Sequence, residues 1–502
     1  MSGMRGGMGF DLGFSAPGGG ERRPDDGERP LRVLLLGDFG AGKQSAVAIQ
    51  PAEIDQAIAR LGIELEFEWE GEQQNLRVRS IDDFHPDSIA EQLPWMSRLL
   101  GLRKRIKDPA NTVAALAEAK GLGLLVSDAP LVEPSAPQQP DQARTDTGGN
   151  DLAALLGRPT SAGSKPAAPQ GVDIQSFIQK IVGSGPGRDS GVGAESTHAI
   201  RSIDRRLTTM MKAVLRSPRF ARVESAWRAL HNMVSNAWSE DEIGYEVLSA
   251  DASHLEQLLS TDLSMFQSAL AGHAAESAGP VDVILLVEPL RASESDLNTV
   301  HALSRLAATV DATLLLSVDA AFVGCPGFAI ETDPARWTSP KQQPWWESWN
   351  RLKTSPDSSQ LAAAIPRWLA RRPYGLWSDP IDRFTFEELD AHERGNAAGH
   401  AAMCWAGGAW LLLRLIVEGW IENGDAMQLG SPCVVGDLPH TSWKDATGSH
   451  ALPCAECYLA ERGLEAISDA GLVPIASMKG RDAVVLGPVQ NLAGGELRGR
   501  WT

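Results

Sequence analysis

Apolar runs and alternating segments in the first hundred residues predict an α/β unit. Residues 31–39, LRVLLLGDF, form a continuous apolar run, which is typical of a strand buried on both faces. Residues 63–71 and 75–81 alternate apolar and polar positions and predict two further strands, joined by a turn at 71–75. Three strands are therefore expected in this part of the chain.

Helical spacing predicts the elements around these strands. Residues 51–62 form one expected helix, with Pro51 near its start. A longer helical stretch covers 82–108. Asp87 is its expected N-cap, because its carboxylate can accept hydrogen bonds from the unpaired backbone N–H groups of the first helical turn.

The same patterns predict a second folded region. Residues 203–237 have helical spacing that Pro218 interrupts, which predicts a helix pair. Residues 243–250 and 281–290 are expected strands, and 472–489 predicts strand–turn–strand. Strands and helices mixed in this way predict a mixed α/β (α+β) fold.

The longest apolar stretch, residues 401–420, predicts a buried helix. Arg414 and Glu418 lie near its end, whereas a membrane span needs about 20 apolar residues without such charges. No membrane insertion is expected.

Charge and cysteine usage narrow the class of protein. A net charge of −18 over 502 residues argues against nucleic-acid binding, which needs many Lys and Arg against phosphates. The N-terminal 30 residues lack the apolar core of a signal peptide, and all five cysteines follow residue 320. A reduced, cytoplasmic protein is expected.

Shifts in composition predict the domain organisation. Prolines cluster between residues 128 and 170 among Gln, Ser, Thr, Gly and Asp, a density that a packed element does not tolerate. The predicted parts are a flexible leader 1–30, a first domain 31–127, a Pro-rich linker with short helices 128–196, a second domain 197–361 and a third domain 362–502.

The stretch VLLLGDFGAGKQS resembles a phosphate-binding P-loop. Gly37, Gly42 and Lys43 have the required spacing, but Gln44 stands where the motif needs a Ser or Thr hydroxyl for Mg²⁺. Pro51 also leaves little room for the helix that would hold the phosphates. Nucleotide binding remains a minor alternative here.

Cys454 and Cys457 form a CxxC pair, which can bind metal or undergo redox chemistry. A structural zinc site needs four ligands, and the nearest further candidates, Cys433 and His440, are irregularly spaced. A chance pair in a core is favoured. No nucleophile with a base partner is evident, so neither a catalytic residue nor a cofactor is expected.

Several stretches in one order resemble the contractile sheath of bacterial type VI secretion. RVLLLGDFGAG and LRVRSIDDFHPDSIAEQLPWMSRLLGLRKRIKDP resemble the small subunit, TssB or VipA. Six further stretches resemble the large subunit, TssC or VipB: IDRRLTTMMKAVLRSPRFARVESAWRALHNMV, AIPRWLARRPYG, FTFEEL, RGNAA, VVGDLPHTSW and GLVPIASMKGRDAVVLGPVQ.

The resemblance implies a natural fusion of both subunits through the Pro-rich linker. It implies a structural protein rather than an enzyme, which polymerises around an inner (Hcp-like) tube, docks on baseplate components and contracts. In this family a segment at this place is offered to the AAA+ ATPase that recycles the sheath. The corresponding segment here is the expected helix 171–184, with contact residues Ile174, Phe177, Ile178 and Ile181. A linker helix that packs on its own domain is the equal alternative for this segment.

Two departures from the family pattern leave alternatives open. The family's large subunit continues past the point where this chain ends, and the small subunit's N-terminal strand is replaced by a Gly-rich stretch. Both segments take part in strand exchange between subunits. One alternative is therefore a non-polymerising adaptor or cap of a secretion apparatus. Another is a P-loop NTPase-like regulator that uses Gly37 and Lys43.

Overall fold

The computed structural model describes residues 29–41, 46–50, 53–125, 190–237, 239, 242–260, 270, 279–376, 378–429, 433–445 and 448–502. These residues fold into helices and a mixed sheet, which confirms the predicted mixed α/β class. The chain divides into two compact units, Met1–Pro94 with Thr208–Thr502, and Trp95–Leu207.

The described strands are β1 (Leu31–Gly37), β2 (Ala46–Ile49), β3 (Ile63–Trp69), β4 (Glu72–Val78), β5 (Ile243–Ser249), β6 (Val283–Leu286), β7 (Thr313–Ser317), β8 (Leu361–Ile365), β9 (Trp368–Leu369), β10 (Trp405–Ala406), β11 (Cys433–Val435), β12 (Thr441–Asp445), β13 (Gly448–Leu452), β14 (Val473–Ser477) and β15 (Val484–Leu486). The described helices are α1 (Ile54–Leu61), α2 (Pro86–Gln92), α3 (Pro94–Lys107), α4 (Thr112–Gly121), α5 (Ser190–Leu215), α6 (Pro218–Asn236), α7 (Ala252–Ser260), α8 (Glu294–Thr309), α9 (Trp346–Lys353), α10 (Ala397–Ala401), α11 (Ala409–Asn423) and α12 (Glu461–Asp469).

A nine-stranded sheet forms the centre of the larger unit, in the order β11-β15-β14-β8-β7-β6-β1-β5-β2. The six strands from β14 to β5 are parallel, and the outer strands β2, β15 and β11 run antiparallel to their neighbours. The central strands are mostly apolar, as expected of a parallel sheet covered on both faces, and the buried charges of Arg32 on β1 and Glu246 on β5 pair with each other.

Strand β1 lies between β5 and β6, far from both in sequence. It pairs with β5 along its whole length, Leu31–Gly37 against Ile243–Ser249, and with β6 over Val33–Leu36. Strands from the three predicted domains 31–127, 197–361 and 362–502 thus belong to one sheet. The predicted domain boundaries themselves stay a prediction.

Alternate side chains of the sheet enter different cores. On one face Leu34 and Leu36 join a buried cluster with Leu303 of α8 and Trp349 of α9. Helix α11 packs on the other face against β6, β7 and β8. It begins at Ala409, whose N–H donates to Ser317 Oγ.

Three local predictions are corrected by the structure. The β3–β4 turn lies at Glu70 and Gly71, both with positive φ, rather than at 71–75. Helical structure over 82–108 is divided into α2 and α3, and α2 is capped by His85 instead of Asp87 because Pro86 occupies the first helical position. The apolar stretch 401–420 is helical only from Ala409.

The smaller unit, Trp95–Leu207, is built in its described part from α3, α4 and α5. Its apolar core contains Met96, Leu102, Leu116 and Ile203, all almost fully buried. Arg103 reinforces the packing of α3 on α5 by donating Nε and Nη2 to the carboxylate of Asp204, at 2.6 and 3.1 Å. Among the described residues, no helix has both the length and the apolarity needed to cross a membrane.

Candidate functional site

An aromatic core joins the end of β1 to α6. The Trp227 Nε1–H donates to the Phe39 carbonyl at 3.1 Å, and the two rings meet edge to face with centroids 5.2 Å apart. On the same helix Phe220 contacts the rings of Phe67 and Phe84. Because aromatic pairs add about 0.5–1.5 kcal/mol beyond their buried area, this core ties the segment 39–84 to α6.

Arg371 lies in a buried ion cluster that continues this core. All five guanidinium N–H groups are used: four donate to the carboxylates of Glu224 and Glu388, and one to the carbonyl of Arg372, at 2.7–3.1 Å. Burial alone would lower the pKa of Arg371, but the two carboxylates raise it well above its ordinary value. Complete hydrogen bonding is what makes a buried ion pair tolerable.

Tyr374 links this charge cluster to residues 84 and 85. The Arg371 guanidinium lies 4.0 Å from the Tyr374 ring centroid, a cation–π contact. The Tyr374 hydroxyl accepts from Arg228 Nη2 at 3.0 Å and donates to the Phe84 carbonyl at 3.5 Å, while His85 packs edge to face on the ring. Burial raises the pKa of Tyr374, so the hydroxyl keeps its proton. We call Arg228, Glu224, Arg371, Tyr374 and Glu388 the Arg371 cluster.

Asp87 makes a second contact between the same parts of the chain. Its carboxylate accepts from the backbone N–H groups of Asp382 and Arg383, at 2.9 and 3.1 Å. The Arg383 side chain also pairs with Glu91. Asp87 therefore stabilises the junction with residues 382–383 rather than capping its own helix.

None of the residues of the Arg371 cluster was singled out from sequence. One signal was present: Glu224 follows Val223 and lies four residues from Phe220 and three from Trp227, on the apolar face of α6. A charged residue at a core-facing position needs a buried partner. The partner, Arg371, lies 147 residues away, beyond the reach of a local pattern.

The P-loop-like stretch leads into the carboxyl edge of the sheet. Gly37 ends β1, and a Cβ there would lie 2.6 Å from the Val287 Cβ, so the glycine permits close strand packing. Gly42 and Lys43 lie outside the described residues. Residues 46–49 form strand β2, whereas a P-loop lysine is followed directly by a helix whose N-terminus binds phosphate.

A cleft of about 490 Å³ opens at this edge, at the ends of β1, β5 and β6. Five carboxylates and two arginines line it: Asp38, Asp251, Glu256, Glu288, Asp296, Arg222 and Arg291. The Asp38 N–H donates to Glu288 Oε1 at 2.6 Å. An excess of acidic groups is unfavourable for a triphosphate, which weakens the NTPase alternative.

Glu288 makes stability depend on pH. Burial raises its pKa from 4.5 to about 7 and outweighs the hydrogen bond from the Asp38 N–H, which lowers it. The folded state then holds its proton more tightly than the unfolded state, so stability falls as pH rises from about 4.5 to 7. We expect Glu288→Gln to be more stable than the natural protein at pH 8, by up to about 3 kcal/mol, with the difference vanishing near pH 4.5.

Urea unfolding at pH 5, 6, 7 and 8 checks this expectation. Glu256→Gln, which removes an exposed acid from the same cleft, is the matched control and should leave the pH profile unchanged. If Glu288→Gln and the natural protein differ by the same amount at every pH, the protonation argument is wrong.

Cys454 and Cys457 lie in separate environments. Burial raises the pKa of the Cys454 thiol to about 11, and its Sγ lies near the carbonyls of Leu438 and Arg481. Burial also raises the pKa of Cys457, which packs in the main apolar core. Both are free thiols, and within the described ranges no group of three or more His, Cys, Asp or Glu side chains is arranged to hold a metal ion. Raised pKa values disfavour the thiolate that metal binding needs.

The expected ATPase contact residues, Ile174, Phe177, Ile178 and Ile181, lie outside the described residues, and their role stays a prediction.

Comparison with known proteins identifies the parts that meet at this junction. Residues 197–492 match the model of the family described as EvpB/VC_A0108, tail sheath N-terminal domain. The chain belongs to this tail sheath family. Residues 22–122 match a second model, described as Type VI secretion system, VipA, VC_A0107 or Hcp2.

A curated relative supports the same assignment. The "Type VI secretion system sheath protein TssC1" of Pseudomonas aeruginosa is 23% identical over 307 residues, which cover 58% of this chain and 60% of that protein. The predicted resemblance to a fusion of small and large sheath subunits is confirmed. In sheath terms, the aromatic core and the Arg371 cluster join the VipA-like region to the VipB-like region.

Proposed function

We propose that this chain is a one-chain subunit of a type VI secretion sheath, which polymerises around an inner tube and contracts to drive the tube outward. One observation carries the proposal: β1, from the VipA-like region, lies between β5 and β6 of the VipB-like region in a single sheet. A sheath built from two chains must bring these parts together by association. Here one polypeptide contains both the VipA-like and the VipB-like region, so the two are always present in equal numbers.

The buried junction suits a subunit that moves as a rigid body. Contraction of such a sheath would be a change in packing between subunits, with the energy stored in bistable interfaces rather than in bound nucleotide. A tightly packed VipA–VipB join prevents the subunit from deforming internally while its contacts with other copies rearrange. We accordingly propose a structural role, without catalysis or cofactor.

The partners and location follow from the same proposal. Each chain would contact further copies of itself, an inner (Hcp-like) tube protein and baseplate components, in the bacterial cytoplasm. An AAA+ ATPase would recycle the contracted polymer through the segment that contains Phe177. The relative TssC1 supports the sheath role, and since this chain spans 60% of that protein, each of these partners is part of the proposal.

Electron microscopy of the purified full chain tests the proposal, alone and co-expressed with its cognate tube protein. We expect regular helical tubes that pellet at high speed, because a sheath subunit repeats one set of contacts along a helix. The tube protein expressed alone provides the control for bare tubes. Uniformly dispersed particles in both preparations would instead favour the non-polymerising adaptor or cap.

A further inference from the structure

The three-helix unit Trp95–Leu207 is basic, although the chain as a whole is acidic. Its described residues, 95–125 and 190–207, hold nine Lys and Arg against four Asp and Glu, an excess of five positive charges, whereas the whole chain carries −18. The four acids already have partners within the unit: Asp204 with Arg103, Glu118 with Arg105, Glu195 with Lys120, and Asp108 with Asn111. The basic side chains of the unit therefore outnumber the acidic ones, and its described part carries a net positive charge.

Helix α3 concentrates cations on its exposed half. Arg98, Lys104, Arg105 and Lys107, which we call the basic face, are all exposed. Arg105 pairs with Glu118, while the other three have no ion-pair partner in the described part of the chain. Along the helix axis the basic face spans nine helical steps, about 13–14 Å at a rise of about 1.5 Å per residue, and around the axis its side chains spread over about half of the circumference.

The β3–β4 hairpin presents the opposite charge. Strand β3 alternates, so that Ile63 and Leu65 are buried while Glu64, Glu66 and Glu68 are exposed on the outer side. We call these three residues the acidic face. Glu64 pairs with Arg77 across the hairpin.

Two of these glutamates have no charged residue directly opposite them on the hairpin. Glu66 and Glu68 stand opposite the neutral Asn75 and Gln73, and neither has an ion-pair partner among the residues that the structure describes. The acidic face spans four strand steps, about 13–14 Å at about 3.4 Å per residue.

We propose that the basic face of α3 docks on the acidic face of the hairpin in a second copy of this chain. The faces match in length and are opposite in charge, and each copy carries both. Such a contact joins unlike surfaces, so it repeats from copy to copy and generates a helical filament when the rotation between copies does not close into a ring. This proposal deepens the proposed function and rests on it, since it names one contact through which copies would assemble.

A second copy fits the basic face better than nucleic acid does. A polyanion would meet the field of a chain with 64 Asp and Glu against 46 Lys and Arg. A second copy also carries −18, but it brings only a strip of three glutamates against the basic face, and its other charges are largely screened beyond about 10 Å at 0.1 M salt. A nucleic acid carries a charge about every 1.7 Å along its axis and would extend past the basic face. Exposed ion pairs are individually weak, so the contact would fix register and orientation while other contacts supply most of the affinity.

Two charge-reversed variants of the full chain test the proposal. One carries Arg98→Glu and Lys104→Glu, and the other carries Glu66→Lys and Glu68→Lys. Each variant alone brings like charges together and is expected to need at least about a tenfold higher concentration to assemble, measured by pelleting and sedimentation velocity in 0.1 M salt. An equimolar mixture is expected to recover assembly, because every contact between unlike variants is again complementary.

A matched control reverses two exposed acids elsewhere. Glu461→Lys with Glu465→Lys on α12 changes the net charge by the same amount as the hairpin variant and should assemble like the natural protein. Circular dichroism verifies that each variant folds, and a variant that misfolds is replaced by Arg98→Gln with Lys104→Gln, or by Glu66→Gln with Glu68→Gln. These neutral changes should raise the required concentration by a smaller factor.

The outcomes separate this contact from the proposed function. If both reversed variants form tubes at the natural concentration, the contact is wrong and the sheath proposal stands. If the natural chain forms only short oligomers, and charge reversal with mixing controls them as described, the contact is right and the sheath proposal fails. If Arg98→Glu with Lys104→Glu abolishes binding of a labelled DNA oligonucleotide but leaves assembly unchanged, the basic face serves nucleic acid, which overturns the proposal.

Discussion

Replacement of Arg371 by methionine is expected to lower the free energy of unfolding by about 3–5 kcal/mol. The change leaves Glu388 buried without an ion-pair partner among the described residues and leaves Glu224 with Arg228 alone, whose Nε lies 3.7 Å from Glu224 Oε1. It also removes four charge-assisted hydrogen bonds at once. Methionine fills a similar volume, so lost packing contributes little. Urea unfolding at pH 7, followed by tryptophan fluorescence, measures the loss.

The neighbouring Arg372 provides the matched control. Its side chain is exposed, so Arg372→Met should change stability by less than about 0.5 kcal/mol. A triple variant, Arg371→Met with Glu224→Gln and Glu388→Gln, should recover part of the loss, because neither buried carboxylate is then left without Arg371. Equal stabilities of the two single variants would mean that the Arg371 cluster does not stabilise the join.

A chain cut within the Pro-rich stretch 128–170 is expected to stay in one piece in solution. A protease site introduced there would separate the VipA-like from the VipB-like region in sequence only, since β1 remains paired with β5 and β6 and Phe39 remains packed on Trp227. We expect both fragments to elute together in gel filtration at micromolar concentration after complete cleavage.

Leu35→Ala shows whether β1 holds the fragments together. Leu35 is fully buried in the sheet, and its truncation should cost about 2–5 kcal/mol. The uncut variant should remain folded, because the covalent link keeps the effective concentration near millimolar. After cleavage, its fragments should dissociate at concentrations where the natural fragments do not. Separate elution of the natural fragments would contradict the described sheet order.

Sequence patterns predicted where the strands lie in the chain but not which strands pair with each other in the sheet. Strands β1 and β6 were predictable because a strand covered on both faces must be apolar throughout. The position of β1 was not, since it pairs with residues more than 200 positions away, and local periodicity carries no information about partners. The β3–β4 hairpin was expected, yet its turn was displaced because Glu70, a residue that seldom adopts positive φ, occupies the turn with Gly71.

The candidate site was predictable only through resemblance. Charged residues such as Arg371 and Glu388 are exposed in most proteins, so composition places them on the surface. Only the fold shows that the stretches with family resemblance, around residues 84, 224, 371 and 388, converge on one cluster. Gly42, Lys43 and residues 174–181 lie outside the described residues, so the roles predicted for them stay predictions.

The central position of β1 also sets the order of events during synthesis. β1 leaves the ribosome early, whereas β6, one of its two neighbours, is complete only after Leu286 has been added. At about 5–20 residues per second, an apolar strand waits roughly 12–50 seconds for its second edge to be covered. During that interval the nascent chain exposes a seven-residue apolar strand that can pair with strands of other chains. Production of this protein should therefore be sensitive to chaperones that bind nascent polypeptides.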